Sequence, residues 1–434
     1  MARCTIVGSN SSGNNAIWVG GTLRLLGSII TVGNASSGLA NGVWIDGGSA
    51  TLIGNSISGG SGVNYSDVGL INGASAVLRA NSLTAGTSSN PPKIVDNEYG
   101  TSNRLEMYDN FLDPGSYNGN IYGVYNNGIL TSYRNSISGT SRAGGTFFPW
   151  FTYGDARIVS VEDVEYDSLS NFAENSFRNN SLSRFVGGHL MDRLVSNDRA
   201  DFRIIHSRLD DWAYISSNNQ SRFWLVGNAI DTRTIVGNWT NVINPGTYAV
   251  LIANTIRGYG GVVNSGWLAA SNNSLFSTDT AINLQNASTT YLLNNYFGSK
   301  IGYSLVHGLS NAGLAHYYNN DFWGLTSRGL YGYCYNGSSY TWQLCPVGVT
   351  NMGWFWASAG SGNFAENPGL VDAESGDFHP TTGSLLIDHG VDPSPNVNGY
   401  LGGLYTPYLY RDIDGNPRPH DDSIDIGAYE WQGP

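Results

Sequence analysis

Residues 42–59 read GVWIDGGSATLIGNSISG, and residues 123–139 read GVYNNGILTSYRNSISG. Residues 16–33 (AIWVGGTLRLLGSIITVG) and 69–86 (GLINGASAVLRANSLTAG) are looser copies. Each copy joins a short alternating apolar run to a small polar turn. A unit of that kind cannot bury its inner face alone and must stack on its neighbours.

The repeat is traced by the small polar residue that closes each run. It is Ser28, Asn55, Asn81, Asn110, Asn135, Asn180, Ser207, Asn228, Asn254, Asn273, Asn295 and Asn320, with Asp163 filling the gap before Asn180. The mean step of about 24 residues falls in the range of short-repeat solenoids. The apolar residues alternate, as in Leu52-Ile53 with Ile57 or Leu251-Ile252 with Ile256. Period two means strand, where a helix would show spacings of three and four. Gly and Asn supply the turns because both tolerate positive φ. The expected fold is all-β: a single-stranded parallel β-helix of about 13 coils, each rising about 4.8 Å, roughly 60 Å in all. An irregular C-terminal tail packs on it.

Composition agrees. There are 57 Gly and only 21 Lys+Arg in 434 residues, with no long stretch rich in helix formers. The net charge of −12 argues against nucleic acid or an anionic membrane surface as partner. It suits neutral or cationic ligands; Ca²⁺ is the one cofactor it invites, and no metal site can be assigned with it. No apolar run has the length of a membrane span and no signal peptide is visible. Asn-x-Ser/Thr triplets at Asn34, Asn64, Asn238, Asn286 and Asn336 fit a glycosylated exterior. Cys334 and Cys345 could close one disulfide in an exported protein or stand as two buried thiols, with Cys4 left over.

Along the chain, 1–324 reads as the solenoid: regular coils over 1–140, coils with aromatic and charged insertions over 141–245, and regular coils again over 246–324. Residues 325–434 form the turn-rich C-terminal segment. It includes NFAENPGLVDAESGDFHPTTGSLLIDHG at 363–390 and DIDGNPRPHDDSIDIGAYE at 412–430. With the GVYNNG-type coils and Asn319-Asn320-Asp321-Phe322-Trp323-Gly324, these phrases resemble exported bacterial right-handed parallel β-helix proteins that carry a choice-of-anchor Q-type C-terminal segment. The coils also resemble those of polymorphic outer-membrane adhesins. The resemblance implies right-handed coiling, export, and an extracellular or cell-surface location. It leaves function open, since such proteins include adhesins, matrix proteins and carbohydrate-active enzymes. Within the tail, Arg418 stands near Asp412, Asp414 and Asp421, which predicts an Arg–carboxylate clamp.

Two groups of residues carry candidate chemistry. Three places past the ladder position, successive coils present Asp210, Asp231 and Arg257, with Asp211 beside them. Carboxylates one coil apart, at about 5 Å, would suit a retaining glycosidase. Arg257 and Arg233 could instead neutralise them. The second group is aromatic: Trp150, Tyr153, Trp212, Tyr214 and Trp224 would form a platform for sugar rings, with His189 and His206 nearby. The acid motifs of polygalacturonase-like enzymes are missing around Asp210-Asp211. Lysine is too scarce to offer a lyase base.

The expected role is an exported structural or adhesive β-helix of a cell surface, appendage or matrix, facing glycans and associating head to tail with its own copies. A polysaccharide-degrading enzyme working through Asp210, Asp211 and Asp231 is the alternative. A phage-type receptor-binding spike is a third reading.

Overall fold

A computed structural model describes residues 3–8, 14–36, 38, 40–62, 68–88, 91–97, 100–115, 119–139, 146–167, 174–178, 181–196, 198–217, 220–232, 241–243, 246–259, 261–285, 289–301, 305–307, 314–324, 330–335, 340–345, 358–393 and 406–433. The fold is an all-β parallel β-solenoid over residues 5–324, with a C-terminal region outside it. The chain divides into two compact units, Met1–Phe202 and Arg203–Pro434.

In the first unit one coil consists of Ala40–Ile45, Ser49–Ile53 and Ser56–Ser58. The five-residue strands Thr22–Leu26, Ser49–Ile53, Ser75–Arg79, Arg104–Tyr108, Ile129–Tyr133, Arg157–Val161 and Leu182–Val186 pair in parallel, each with the next. Their alternation points every second residue inward. Leu25, Leu52, Leu78 and Met107 therefore stack as one fully buried row. Ile30, Ile57, Leu83, Leu112 and Ile137 form a second row across the corner. Burial of each such side chain is worth about 1.5–3 kcal/mol.

The corner between the rows is a two-residue device. Its first residue is left-handed: Gly27, Gly54, Ala80, Asp109, Arg134 and Glu162 all have φ between 50° and 63°. The second residue is the ladder position, turned inward. The Asn81 backbone N–H and Nδ2 both donate to Asn110 Oδ1 at 2.9 Å, and Nδ2 also donates to the Leu52 carbonyl at 2.9 Å. Every polar atom of the rung is used, which buried amides require. Asp163 takes its place here, accepting from the Asn135 N–H at 2.7 Å and Nδ2 at 3.0 Å. An acid fits because the next rung is Gly188, as the Val164–His189 pairing shows, so there is no side-chain acceptor to donate to. Asp163 Oδ2 accepts the Ser160 hydroxyl instead. The expectation that Asn180 is that rung is not met: the register places Gly188 there, and Asn180, itself outside the described residues, precedes the strand Leu182–Val186.

A second, shorter ladder was not foreseen. Asn72 Nδ2 donates to Asn97 Oδ1, and Asn97 Nδ2 to Asn126 Oδ1, both at 2.7 Å. The aromatic run at 147–153 is an ordinary strand for most of its length. Phe147–Thr152 pairs in register with Ile121–Asn126, Trp150 opposite Val124.

In the second unit Arg222–Val226, Tyr248–Ile252, Trp267–Ser271, Thr289–Leu293, Leu314–Tyr318 and Ser358–Ser361 pair successively in parallel. The ladder runs from Ser207 through Asn228, Asn254, Asn273, Asn295 and Asn320. It ends on Asn363, whose Oδ1 accepts from Asn320 at 3.0 Å. The 43-residue step between the last two rungs hid Asn363 from the periodicity. Backbones close up at Gly261, where a Cβ would stand 1.6 Å from the Ala281 carbonyl oxygen. Gly261→Ala should therefore lower stability by about 3 kcal/mol through a forced backbone shift, read as a fall in melting temperature.

The C-terminal region packs on the short-strand face of this unit. Phe378, Leu386 and Ile426 bury against Phe276 and Tyr296. The docking residues are the left-handed asparagines that precede three rungs. Asn272 Nδ2 donates to the Asp425 carbonyl at 3.2 Å, Asn294 Nδ2 to Val391 at 2.6 Å and Asn319 Nδ2 to His389 at 2.9 Å. In each Asn-Asn doublet the first side chain holds the tail and the second holds the ladder. At 330–345 the strands Leu330–Tyr335 and Tyr340–Cys345 form an antiparallel hairpin in which Cys345 faces Leu330 and Cys334 faces Thr341. Four residues of strand separate the two cysteine backbones, about 13 Å. That backbone separation is beyond disulfide reach, which counts against the disulfide alternative for Cys334 and Cys345; their side chains lie outside the described residues.

Candidate functional site

The strands Ala229–Thr232 and Thr255–Gly258 pair in parallel with Asp231 opposite Arg257. Leu209 pairs with Ile230 and Ile230 with Ile256, so Asp210, Asp231 and Arg257 hold successive positions of one row. That is the row expected from the sequence. The side chains of Asp210 and Asp211 lie outside the described residues.

Asp231 is occupied. The Arg257 Nε donates to its Oδ1 at 3.3 Å and Nη2 donates to its Oδ2. Arg257 Nη1 donates to the Glu374 carbonyl of the C-terminal region at 3.2 Å. The fork pairs the carboxylate with a planar guanidinium through two contacts. Both side chains are about a quarter exposed, at 26–27 %. They line a recess of about 160 Å³ with Arg208, Ile230 and Thr255 of the solenoid and Ser375, Gly376 and Phe378 of the tail. The tail thus forms one wall of the recess. Chemically the recess can hold a small polar group against an ion pair. General acid–base hydrolysis would require a second carboxyl with its own pKa.

The aromatic candidates separate by environment. Trp150 is fully buried, its ring 5.8 Å from Phe185, and presents no face to solvent. Tyr153 is half-buried, 5.1 Å from Tyr125. Trp224 is half-buried with the Arg203 guanidinium 4.6 Å above its ring. His206 sits at a left-handed corner, φ 46°, with its ring over Gly227, and desolvation lowers its pKa. The side chains of Trp212, Tyr214 and His189 lie outside the described residues.

Two further constellations escaped the sequence reading. On the five-residue-strand face, Tyr248, Trp267, Tyr291 and His316 form a row with ring centroids 5.1, 6.0 and 4.6 Å apart. The Tyr291 and His316 planes differ by 8°, so these two rings turn their faces to each other rather than to solvent. The register pairs Tyr248 with Trp267 and Tyr291 with His316, with a two-residue offset between the two pairs. In the tail, His379 Nδ1 meets Asp377 Oδ1 at 2.6 Å and Nε2 meets Asp414 Oδ2 at 3.1 Å, with the Tyr429 ring 3.8 Å away. Both ring nitrogens are committed to carboxylates.

The tail acids expected around Arg418 are distributed differently. Arg418 is fully enclosed and pairs with Glu430 at 3.7 Å, while Asp414 turns to His379 and Asp421 to His420. Asp412 accepts from Asn416 and from the Glu430 N–H. Among the described residues no three His, Cys, Asp or Glu side chains converge as a metal would require.

Fold and recess together define a parallel β-solenoid protein with a tail-walled polar recess on its short-strand face. In comparisons with known proteins, no protein family, no curated protein and no solved structure matches the chain.

Proposed function

We propose that the chain is a non-catalytic structural or adhesive β-solenoid of a cell surface, appendage or extracellular matrix, presenting repetitive faces to glycans or to its own copies. The observation that carries this reading is the closed Asp231–Arg257 fork, which ties the described acid of the expected catalytic row to a guanidinium. The tail phrases at 363–390 and 412–430 support it through their resemblance to choice-of-anchor Q-type segments of exported β-helix proteins. Export and surface location rest on that resemblance.

A panel of neutral and acidic polysaccharides tests the reading. No chain cleavage is expected from the wild type. Asp231→Asn should leave that result unchanged and lower stability by about 1 kcal/mol, as for a partly exposed pair. Cleavage that Asp231→Asn or Asp210→Asn abolishes would replace this reading with the hydrolase. Negative-stain microscopy over a range of concentrations addresses self-association. Filaments growing with concentration would support faces presented to its own copies, and discrete particles throughout would leave glycans as their partner.

A further inference from the structure

The C-terminal region docks through an acidic interior. Four carboxyl residues are buried there: Asp321 at 0 %, Asp412 at 1 %, Asp425 at 2 % and Glu430 at 4 % exposure. Among the described residues one guanidinium, Arg418 at 3 %, is buried with them. Asp321 belongs to the solenoid face and is covered by Glu366 of the C-terminal region, while the other three acids and Arg418 are buried within that region; one cation cannot balance four ionised carboxylates in a dry interior, where an uncompensated charge is costly.

The surroundings of each group are defined. Asp321 opens the strand Asp321–Gly324 beside Tyr296 and beneath Glu366. Its Oδ1 accepts the Glu366 N–H at 3.3 Å, while its Oδ2 and the Tyr296 hydroxyl have no hydrogen-bond partner. Asp425 accepts the Asp388 N–H at 2.8 Å and the Trp431 N–H at 2.6 Å, facing Arg418 and Asp388. Glu430 accepts the His420 N–H at 2.9 Å and the Asp425 N–H at 3.1 Å, facing Arg418 and Asp425. Asp412 faces Arg418 and Tyr429. At the margin His379 joins Asp377 to Asp414 over Tyr429.

We infer that docking of the C-terminal region on the short-strand face is coupled to proton uptake, so that it is held at acidic pH and opens as pH rises. Opening uncovers Phe276 and Tyr296 and removes the tail wall of the Arg257 recess.

The electrostatics of the individual groups agree in sign. Burial pushes Asp321 well above the usual carboxylate range, with Glu366 adding to it. Burial also raises Asp425. Burial lifts Glu430 to about 7, against the opposing pull of Arg418. For His379 desolvation lowers the value, but the bonds to Asp377 and Asp414 outweigh it and the net shift is upward. A group whose docked pKa is raised contributes stability that is complete below its ordinary pKa and lost as pH rises through the docked value. For Glu430 that window runs from the ordinary carboxylate range to about 7. His379 loses its contribution above the ordinary histidine range, in the same direction.

Hydrogen exchange on the full chain from pH 5 to 9, corrected for intrinsic rates, tests this. The reporters are the Val391, Gly427 and Ala428 amides, which donate to Asn294 and Ser274 of the solenoid. The ladder amides of Asn254 and Asn273 in the same unit are the internal reference. The opening constant of the reporters should rise about tenfold per pH unit for each proton released, while the ladder amides stay constant. Asp321→Asn, which removes one titrating group, should shallow that slope. A flat reporter profile in the wild type overturns the inference, as does opening that increases toward acid or that occurs only together with the ladder. The wild-type profile decides alone if the variant does not fold.

Discussion

Arg418→Met should destabilise the C-terminal region by about 3–5 kcal/mol, the range for removing one partner of a buried ion pair. The guanidinium is fully enclosed, with Nη1 3.3 Å from the Asp425 carbonyl and 3.7 Å from Glu430 Oε2. Its Nε and Nη2 find no hydrogen-bond partner. What it supplies is therefore mainly charge, set among Asp412, Asp425 and Glu430. Without it those acids have no buried cation among the described residues, and the Met stem replaces only the packing. The expected reading is a fall of roughly 10 °C in the melting transition of this region. Adding Glu430→Gln to Arg418→Met should restore part of the loss, because it removes the buried charge while the single amide oxygen keeps an acceptor for one of the two N–H groups, of His420 and Asp425, that Glu430 now serves with separate oxygens. A loss below about 1 kcal/mol would mean that Arg418 compensates little charge among these acids.

The second large effect lies in the ladder. Asn254 Oδ1 accepts from the Asn228 N–H at 2.9 Å and from its Nδ2 at 3.0 Å. Its own Nδ2 donates to the Leu225 carbonyl and Asn273 Oδ1, both at 2.8 Å. Asn254→Ala leaves the Asn228 donors and the Leu225 acceptor buried without these partners. At about 1–3 kcal/mol per stranded group, the loss should reach roughly 4 kcal/mol by denaturant unfolding. Asn254→Asp keeps the acceptor but turns a carboxylate oxygen toward two other oxygens, so its penalty should be largest at neutral pH and shrink on acidification. Asp163→Asn is the counterpart. Its Oδ2 meets a hydroxyl that can reverse its role, and the following rung is glycine. A change within about 1 kcal/mol is expected there. Equal penalties at Asn254 and Asp163 would contradict the ladder as described.

Much of this architecture was legible in the residues. Alternation in Thr51-Leu52-Ile53 gave strands, the recurring Asn gave the corner, and the spacing gave the stack. These are local signals repeated in every coil, and a strand period of two leaves little freedom in which side chain turns inward. The row containing Asp231 and Arg257 followed from the same count. The clamp at Arg418 was legible as a class of contact but not in its partner, because Glu430 reaches it through the path of the tail. The double Asn at 272–273, 294–295 and 319–320 was visible as a repeat, yet nothing local divides its two side chains between tail and ladder.

The sequence by itself determined the solenoid, because the fold is built from a short-range pattern in which each coil repeats the solution of the last. The tertiary structure alone decided where the charges meet. It closed Asp231 with Arg257 and buried Trp150. It carried Asn363 across 43 residues to the last rung, and it enclosed Asp321 beneath the docked tail and Asp425 and Glu430 within it. Burial and pairing of those groups depend on segments far apart in the chain, and no periodicity encodes such distances.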